Sequence, residues 1–237
     1  MTPHASRLPS VDIARGVALI GMVVFHFTFD LEMFGHLAPG TITNPYWSAF
    51  ARLVAGSFVF LAGLSLILAH GDGFRARAFW RGTGLVALAA LAVTVATYIA
   101  MPHMFVFFGI LHIIALSRVL GLAFLRVPVW GLVACGALVW ALPYLVQFEA
   151  FNTRALAWIG FAETLPLSMD LEPIFPWFGP FLLGMAAAHL LRPWLGRWRS
   201  EGGAMGRALA FAGRHSLPIY LVHQPLLIGG MWVFAQL

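Results

Sequence analysis

Apolar residues in this chain run in blocks too long and too continuous for the faces of soluble helices or strands. A hydrocarbon core of about 30 Å is crossed by about 20 helical residues. Seven stretches reach or approach that length, at approximately 12–34, 47–70, 81–100, 105–124, 127–147, 173–192 and 216–236. The pattern predicts an all-α, polytopic transmembrane bundle of about seven helices. The first run follows Arg7 and contains Arg15, as in a secretory leader, but it carries His26, ends at Asp30 and lacks a small-residue cleavage site, so a retained first helix is expected. With no fixed-period repeat and no low-complexity linker, 1–237 reads as a single domain. Small residues such as Ala51, Ala55, Gly84, Ala87, Gly131 and Gly136 are candidates for close helix approach, and a homodimer is compatible with them.

Composition agrees with lipid as the main solvent: 61% of residues are hydrophobic, 10% are charged and the mean hydropathy is +0.87. The net charge of +5 would suggest nucleic acid in a soluble protein. Here the positive residues are arginines in the connections between apolar runs, which reads as topology, and no nucleic-acid partner is expected. Arg7 and Arg15, then Arg75, Arg77 and Arg81, then Arg118 and Arg126, then Arg192, Arg197, Arg199, Arg207 and Arg214 fall on one side of seven alternating crossings. Only Arg52 and Arg154 fall on the other, so the N-terminus is expected in the cytoplasm and the C-terminus outside, in a bacterial cytoplasmic membrane. The acids Glu32, Glu149, Glu163, Asp170 and Glu172 lean to the outer face. In the long outer connection, about 148–172, Ala155, Trp158, Ile159 and Phe161 suit a short interfacial helix. Cys135 is the one cysteine and there is no lysine, which removes disulfides, thiolate metal sites and a Schiff-base lysine.

Ionisable groups at bilayer depth carry the chemistry, because each costs about 2.5–3.5 kcal/mol on insertion scales. Arg15 and His26, eleven residues apart, share a helix face about 16 Å apart along the axis, with Asp30 one turn further on. They form a line across the bilayer from the cytoplasmic mouth. The purely structural reading makes Arg15 an interfacial anchor, His26 an interhelical hydrogen-bond partner and Asp30 a boundary residue. His112, in the fourth run, and His223, beside Gln224 in the seventh, permit interhelical bonding or a shared cavity lining. Asp170 and Glu172 precede Pro173 and Pro176, where acids favour a helix N-terminus; a role for Asp170 in binding an acceptor is the alternative. No close pair of histidines supports metal, so none is expected. Pro218 and Pro225 are expected to free carbonyls near His223.

The stretch Val11-Asp12-Ile13-Ala14-Arg15-Gly16, with His26 eleven residues after Arg15, resembles the first helix of the large transmembrane acyltransferase families. Four further stretches resemble the bacterial proteins similar to the catalytic domain of heparan-alpha-glucosaminide N-acetyltransferase. They are His26-Phe27-Thr28-Phe29-Asp30-Leu31, Phe108-Gly109-Ile110-Leu111-His112, Pro173-Ile174-Phe175-Pro176-Trp177-Phe178-Gly179, and Gly213-Arg214-His215-Ser216-Leu217-Pro218-Ile219-Tyr220-Leu221-Val222-His223. The resemblance covers nearly the whole chain; the eukaryotic relatives are longer, with more helices. It implies an O- or N-acetyltransferase taking the acyl group of cytoplasmic acetyl-CoA, or another acyl-CoA, to an acceptor on the outer side, with a sugar or glycan as the implied class. It implies catalytic roles for His26 and Asp30, with His36 as rival to His26; phosphate contacts from Arg15, Arg197 and Arg199; and acceptor contacts from His112, Asp170 and His223. The competing expectation is a proton-coupled small-molecule transporter relaying protons through His26, Asp30 and His223. The absence of an inverted repeat and an odd number of spans count against it.

Overall fold

The computed structural model describes residues 8–195 and 202–234. In chain order the helices are α1 (Pro9–Met33), α2 (Pro45–His70), α3 (Ala76–Ala100), α4 (Ile110–Leu120), α5 (Val129–Leu145), α6 (Arg154–Ala157), α7 (Ile174–Leu195), α8 (Ala204–Arg214) and α9 (Ser216–Phe234). Short 3-10 turns cover Gly121–Phe124 and Glu149–Phe151. Among the described residues no strand forms, and extended pairing is limited to two isolated bridges. Helices α1, α2, α3, α7 and α9 are long and apolar enough to cross a membrane, and the shorter apolar helices Ile110–Phe124 and Val129–Leu145 occupy the other two expected positions. The fold is therefore all-α and belongs in a membrane.

Helix ends follow local chemistry. Pro9 opens α1, where its missing N–H would lack a partner in any case. Beyond Met33, Gly35 takes φ +79°, the Gly35 N–H donates to Glu32 O at 3.0 Å and the His36 N–H donates to Leu31 O at 2.8 Å, which closes a Schellman cap. The Glu32 carboxylate then accepts the Gly40 and Ile42 N–H groups at 2.7 and 2.8 Å and holds the following loop. Asn44 Oδ1 accepts the Tyr46 and Trp47 N–H groups at 3.0 and 3.1 Å and starts α2 just before Pro45.

The chain forms two compact units. The first joins the N-terminal part as far as Phe58 with the C-terminal part from Leu195. In it α8 lies on the first turns of α1 so closely that a Cβ on Gly16 would stand 2.2 Å from Leu209 O, and one on Gly213 would stand 1.8 Å from Asp12 O. Hydropathy alone leaves α8 inside an arginine-bearing connection. Its short apolar face, with Ala210 and Gly213 buried and Arg207 and Phe211 exposed, becomes legible only once α1 covers it.

The second unit, Val59–Trp194, has its core at Leu66, Ile67, Phe79, Ile113, Phe181 and Met185, each nearly or fully buried. Here α2 and α7 meet backbone to backbone: a Cβ on Gly63 would lie 2.0 Å from Phe181 O, and one on Gly184 would lie 2.0 Å from Phe60 O. Of the small residues expected at contacts, Gly136 does face Gly179 O, at 3.2 Å, whereas Gly84 faces open space. On α3, Leu85, Leu88, Leu91, Val95 and Tyr98 are exposed at helical spacing, a stripe suited to acyl chains.

Two expected elements differ. The fourth run becomes helical only at Ile110, because residues 104–108 are drawn out alongside 168–172: the Met169 N–H donates to Met104 O at 2.8 Å and the Glu172 N–H to Phe108 O at 2.9 Å. The interfacial helix shrinks to the single turn Arg154–Ala157. Gly160, at φ +114°, redirects the chain after the turn that closes it, so that Ile159 O accepts the Phe175 N–H and Phe161 O accepts the Phe148 N–H, both at 2.9 Å.

Candidate active site

Within the first unit, α1 presents His26 and Asp30 one turn apart, and α9 brings His223 and Gln224 to meet them. The His26 and His223 rings pack edge to face with centroids 4.9 Å apart. Gln224 Nε2 donates to Asp30 Oδ1 at 2.8 Å. Asp30 is fully buried and His223 nearly so.

The hydrogen bonds define which atoms are available. His223 Nδ1 lies 2.5 Å from Tyr220 O, and a carbonyl only accepts, so Nδ1 carries the proton and donates it. A neutral ring in that tautomer leaves Nε2 with its lone pair, and His223 Nε2 has no partner among the described residues. Asp30 Oδ2 and Gln224 Oε1 are likewise buried without partners. Three orphaned polar atoms in one cluster are unfavourable in a bundle unless a polar ligand meets them, which fits a substrate carrying hydroxyl or amine donors. Pro225, inside α9, has no N–H, so Leu221 O lacks its usual partner next to His223.

Arg15 lies three turns earlier on α1 and binds Asp12 Oδ1 through one guanidinium nitrogen at 3.3 Å. His36 is held at the cap beyond α1, is exposed and meets the Phe234 ring at 6.1 Å, outside the His26–His223 pair. Arg197 and Arg199 lie outside the described residues.

In the second unit Asp170 and His112 meet at the start of α4. Asp170 Oδ2 accepts the Ile110 N–H at 2.9 Å, so a carboxylate from sixty residues away caps this helix. Gly109 makes room for it, since a Cβ there would lie 2.1 Å from Asp170 Oδ2. Asp170 is only partly exposed, and its carboxyl sits deep enough that burial pushes its pKa up to about 6, against the opposing effect of the Ile110 N–H. His112 Nδ1 accepts the Gly109 N–H at 3.1 Å. The Thr94 hydroxyl donates to Val106 O at 2.7 Å and so accepts at 3.1 Å from His112 Nε2–H. Both ring nitrogens of His112 are thus engaged in holding 106–109 in place. Thr94 and Gln224 are the polar residues without an assigned part in the sequence reading; the signal for each is a lone hydrogen-bonding side chain inside an apolar run. Among the described residues no group of three histidine, cysteine or acidic side chains is arranged to hold a metal.

An all-helical integral membrane protein that pairs two imidazoles with a buried carboxylate and amide has the equipment for proton-linked group transfer. The chain belongs to the heparan-alpha-glucosaminide N-acetyltransferase catalytic family, which matches it over residues 7–225, and thereby to the membrane acetyltransferases. No curated protein and no solved structure matches it.

Proposed function

We propose that this protein transfers an acetyl group from a cytoplasmic acyl-CoA to a hydroxyl or amine of an acceptor, a sugar or glycan, reaching the site from the outer side, with the N-terminus in the cytoplasm and the C-terminus outside. The observation that carries the reading is the His26–His223 pair beside the Asp30–Gln224 pair, with three polar atoms left for a substrate. His223 Nε2 takes the proton from the acceptor as its oxygen or nitrogen attacks the thioester carbonyl. The new acyl bond forms, the carbon–sulfur bond breaks, and the leaving thiolate receives the proton from the imidazole. Asp30 fixes the Gln224 amide so that Oε1 accepts a hydrogen bond from the acceptor. His26 packs on the base and keeps its ring oriented. Arg15 supports the donor from the cytoplasmic end of α1 by the bidentate contact guanidinium makes with phosphate.

The test is acetyl-CoA thioester loss and acetyl transfer to an amino-sugar acceptor by the purified protein. His223→Ala is expected to lower kcat by about 10²–10⁴-fold, the range typical of a lost acid–base group, and His26→Ala, which removes the packing that orients that base, to lower it by less, while acetyl-CoA still binds in both. Wild-type turnover that survives both substitutions would remove this pair from catalysis. A folded wild type that neither binds nor cleaves acetyl-CoA, but moves a solute with protons, would replace the enzyme reading with the transporter.

A further inference from the structure

The exposed face of α3 changes character along its length. From Leu85 onward it is apolar, with Leu85, Leu88 and Val95 about half-exposed or more. Ahead of it Arg77 and Arg81 stand exposed one turn apart, and neither has a carboxylate partner among the described residues. At about 100° per residue, Arg77, Arg81, Leu85, Leu88 and Val95 fall within about 80° of one another around the helix. One continuous strip therefore runs from two guanidiniums into a surface fit for acyl chains. Trp80, exposed beside the arginines, is the residue type that settles at headgroup level. All of these residues belong to the second compact unit.

The positive charge on this strip is not answered by the protein's own acids. Between residues 70 and 126 the single acid is Asp72, and its carboxylate pairs with both terminal nitrogens of Arg192. Like charges one turn apart on a helix repel, and an anion held by both relieves the repulsion. Arg118 adds to the field: its Nε donates to Thr83 Oγ1 at 2.9 Å, and its Nη2 would lie 3.3 Å from a Cβ on Gly82. Arg75, Arg77, Arg81, Gly82 and Leu85 help to line one open cleft of about 700 Å³, which passes from guanidinium to leucine. Beside it, nothing lies within 4 Å of where a Cβ on Gly84 would stand. A soluble anion uses the arginines alone. An anion joined to hydrocarbon uses the arginines and the leucines together, and the bilayer delivers it to both.

We propose that this strip of α3 binds an anionic glycerophospholipid of the surrounding bilayer, with its phosphodiester on Arg77 and Arg81 and an acyl chain along Leu85 and Leu88. Guanidinium meets phosphate oxygens by paired, charge-assisted hydrogen bonds, and burial of the leucines under the acyl chain adds to them. The site does not depend on the acyl-transfer reading; it needs only that α3 spans the membrane.

The probe is phosphatidylglycerol, titrated into the purified full chain in a nonionic detergent, with bound lipid counted by native mass spectrometry. Wild type is expected to retain it in preference to phosphatidylcholine of the same acyl chains, and the preference is expected to shrink as salt is added. Arg77→Gln and Arg81→Gln together are expected to weaken retention by about tenfold or more, as for two basic residues lost at an anionic lipid surface. Arg77→Lys with Arg81→Lys, which keeps both charges, is expected to restore most of the preference. Leu85→Ala with Leu88→Ala is expected to weaken retention a few-fold, and Arg52→Gln, in the other compact unit, to leave it as in wild type. Thermal unfolding of each variant in the same detergent separates a lost site from a lost fold. Equal retention of phosphatidylcholine by wild type, or unchanged retention of phosphatidylglycerol by the Arg77/Arg81 glutamine variant, overturns the site. Displacement of the lipid by inorganic phosphate or by adenosine 3′,5′-bisphosphate at comparable concentration overturns it in favour of a soluble-anion site.

Discussion

Single polar atoms decide most of what this protein can do, because in a membrane each one is met by another protein group, a substrate or nothing. Asp30 and Gln224 satisfy one another on one side only. Asp30→Ala leaves the Gln224 amide without its acceptor and is expected to lower stability by about 1 kcal/mol. Gln224→Leu in that background is expected to recover part of the loss, as a thermal double-mutant cycle would show. Asp170 gives a pH signature. Its ordinary value is 3.8 and burial raises it to about 6, so the folded chain keeps its proton over an interval in which the unfolded chain has lost it. Its contribution is complete below about 3.8 and is lost as pH rises through about 6. The unfolding midpoint of wild type is therefore expected to fall between those values, and that of Asp170→Asn to stay level by comparison. The sequence marks Asp30 and Asp170 as unusual through their neighbours. It is silent on which backbone or amide group each carboxylate meets.

Helix contacts are decided by a few glycines whose absent Cβ lets backbones touch. Gly16→Val and Gly213→Val each place a side chain against a backbone carbonyl that cannot yield, and each is expected to destabilise the α1–α8 pair by about 2 kcal/mol or more. Gly84→Ala, with nothing within 4 Å, is expected to stay within about 0.5 kcal/mol of wild type. Thermal unfolding in one detergent checks all three. Apolar run length located the five long spans well, since a lipid-facing helix satisfies its own backbone and its side chains need only be apolar. It misplaced the start of α4 and overlooked α8. In those segments the backbone conformation answers to a partner: residues 168–172 for the first, and α1 for the second.

For the whole molecule, five helices are long and apolar enough to cross a membrane and two more apolar helices are shorter; the proposed topology has all seven crossing, which sends the ends of the chain to opposite sides. In a Cys135→Ser background, Thr164→Cys is expected to react with an impermeant maleimide added to intact cells, and Ala204→Cys only after permeabilisation. The reverse pattern would invert the orientation of donor and acceptor in the proposed reaction. The sequence by itself determined the solvent, the helical class and the polar stripe of Arg15, His26 and Asp30, because hydropathy and helical periodicity are local properties of consecutive residues. The tertiary structure decided that His26 is met by His223, that the Tyr220 carbonyl sets the tautomer of that second imidazole, and that His112 is spent on holding the chain ahead of α4. Those pairings depend on which helix faces come close enough to touch, and that is settled by packing between segments far apart in the chain.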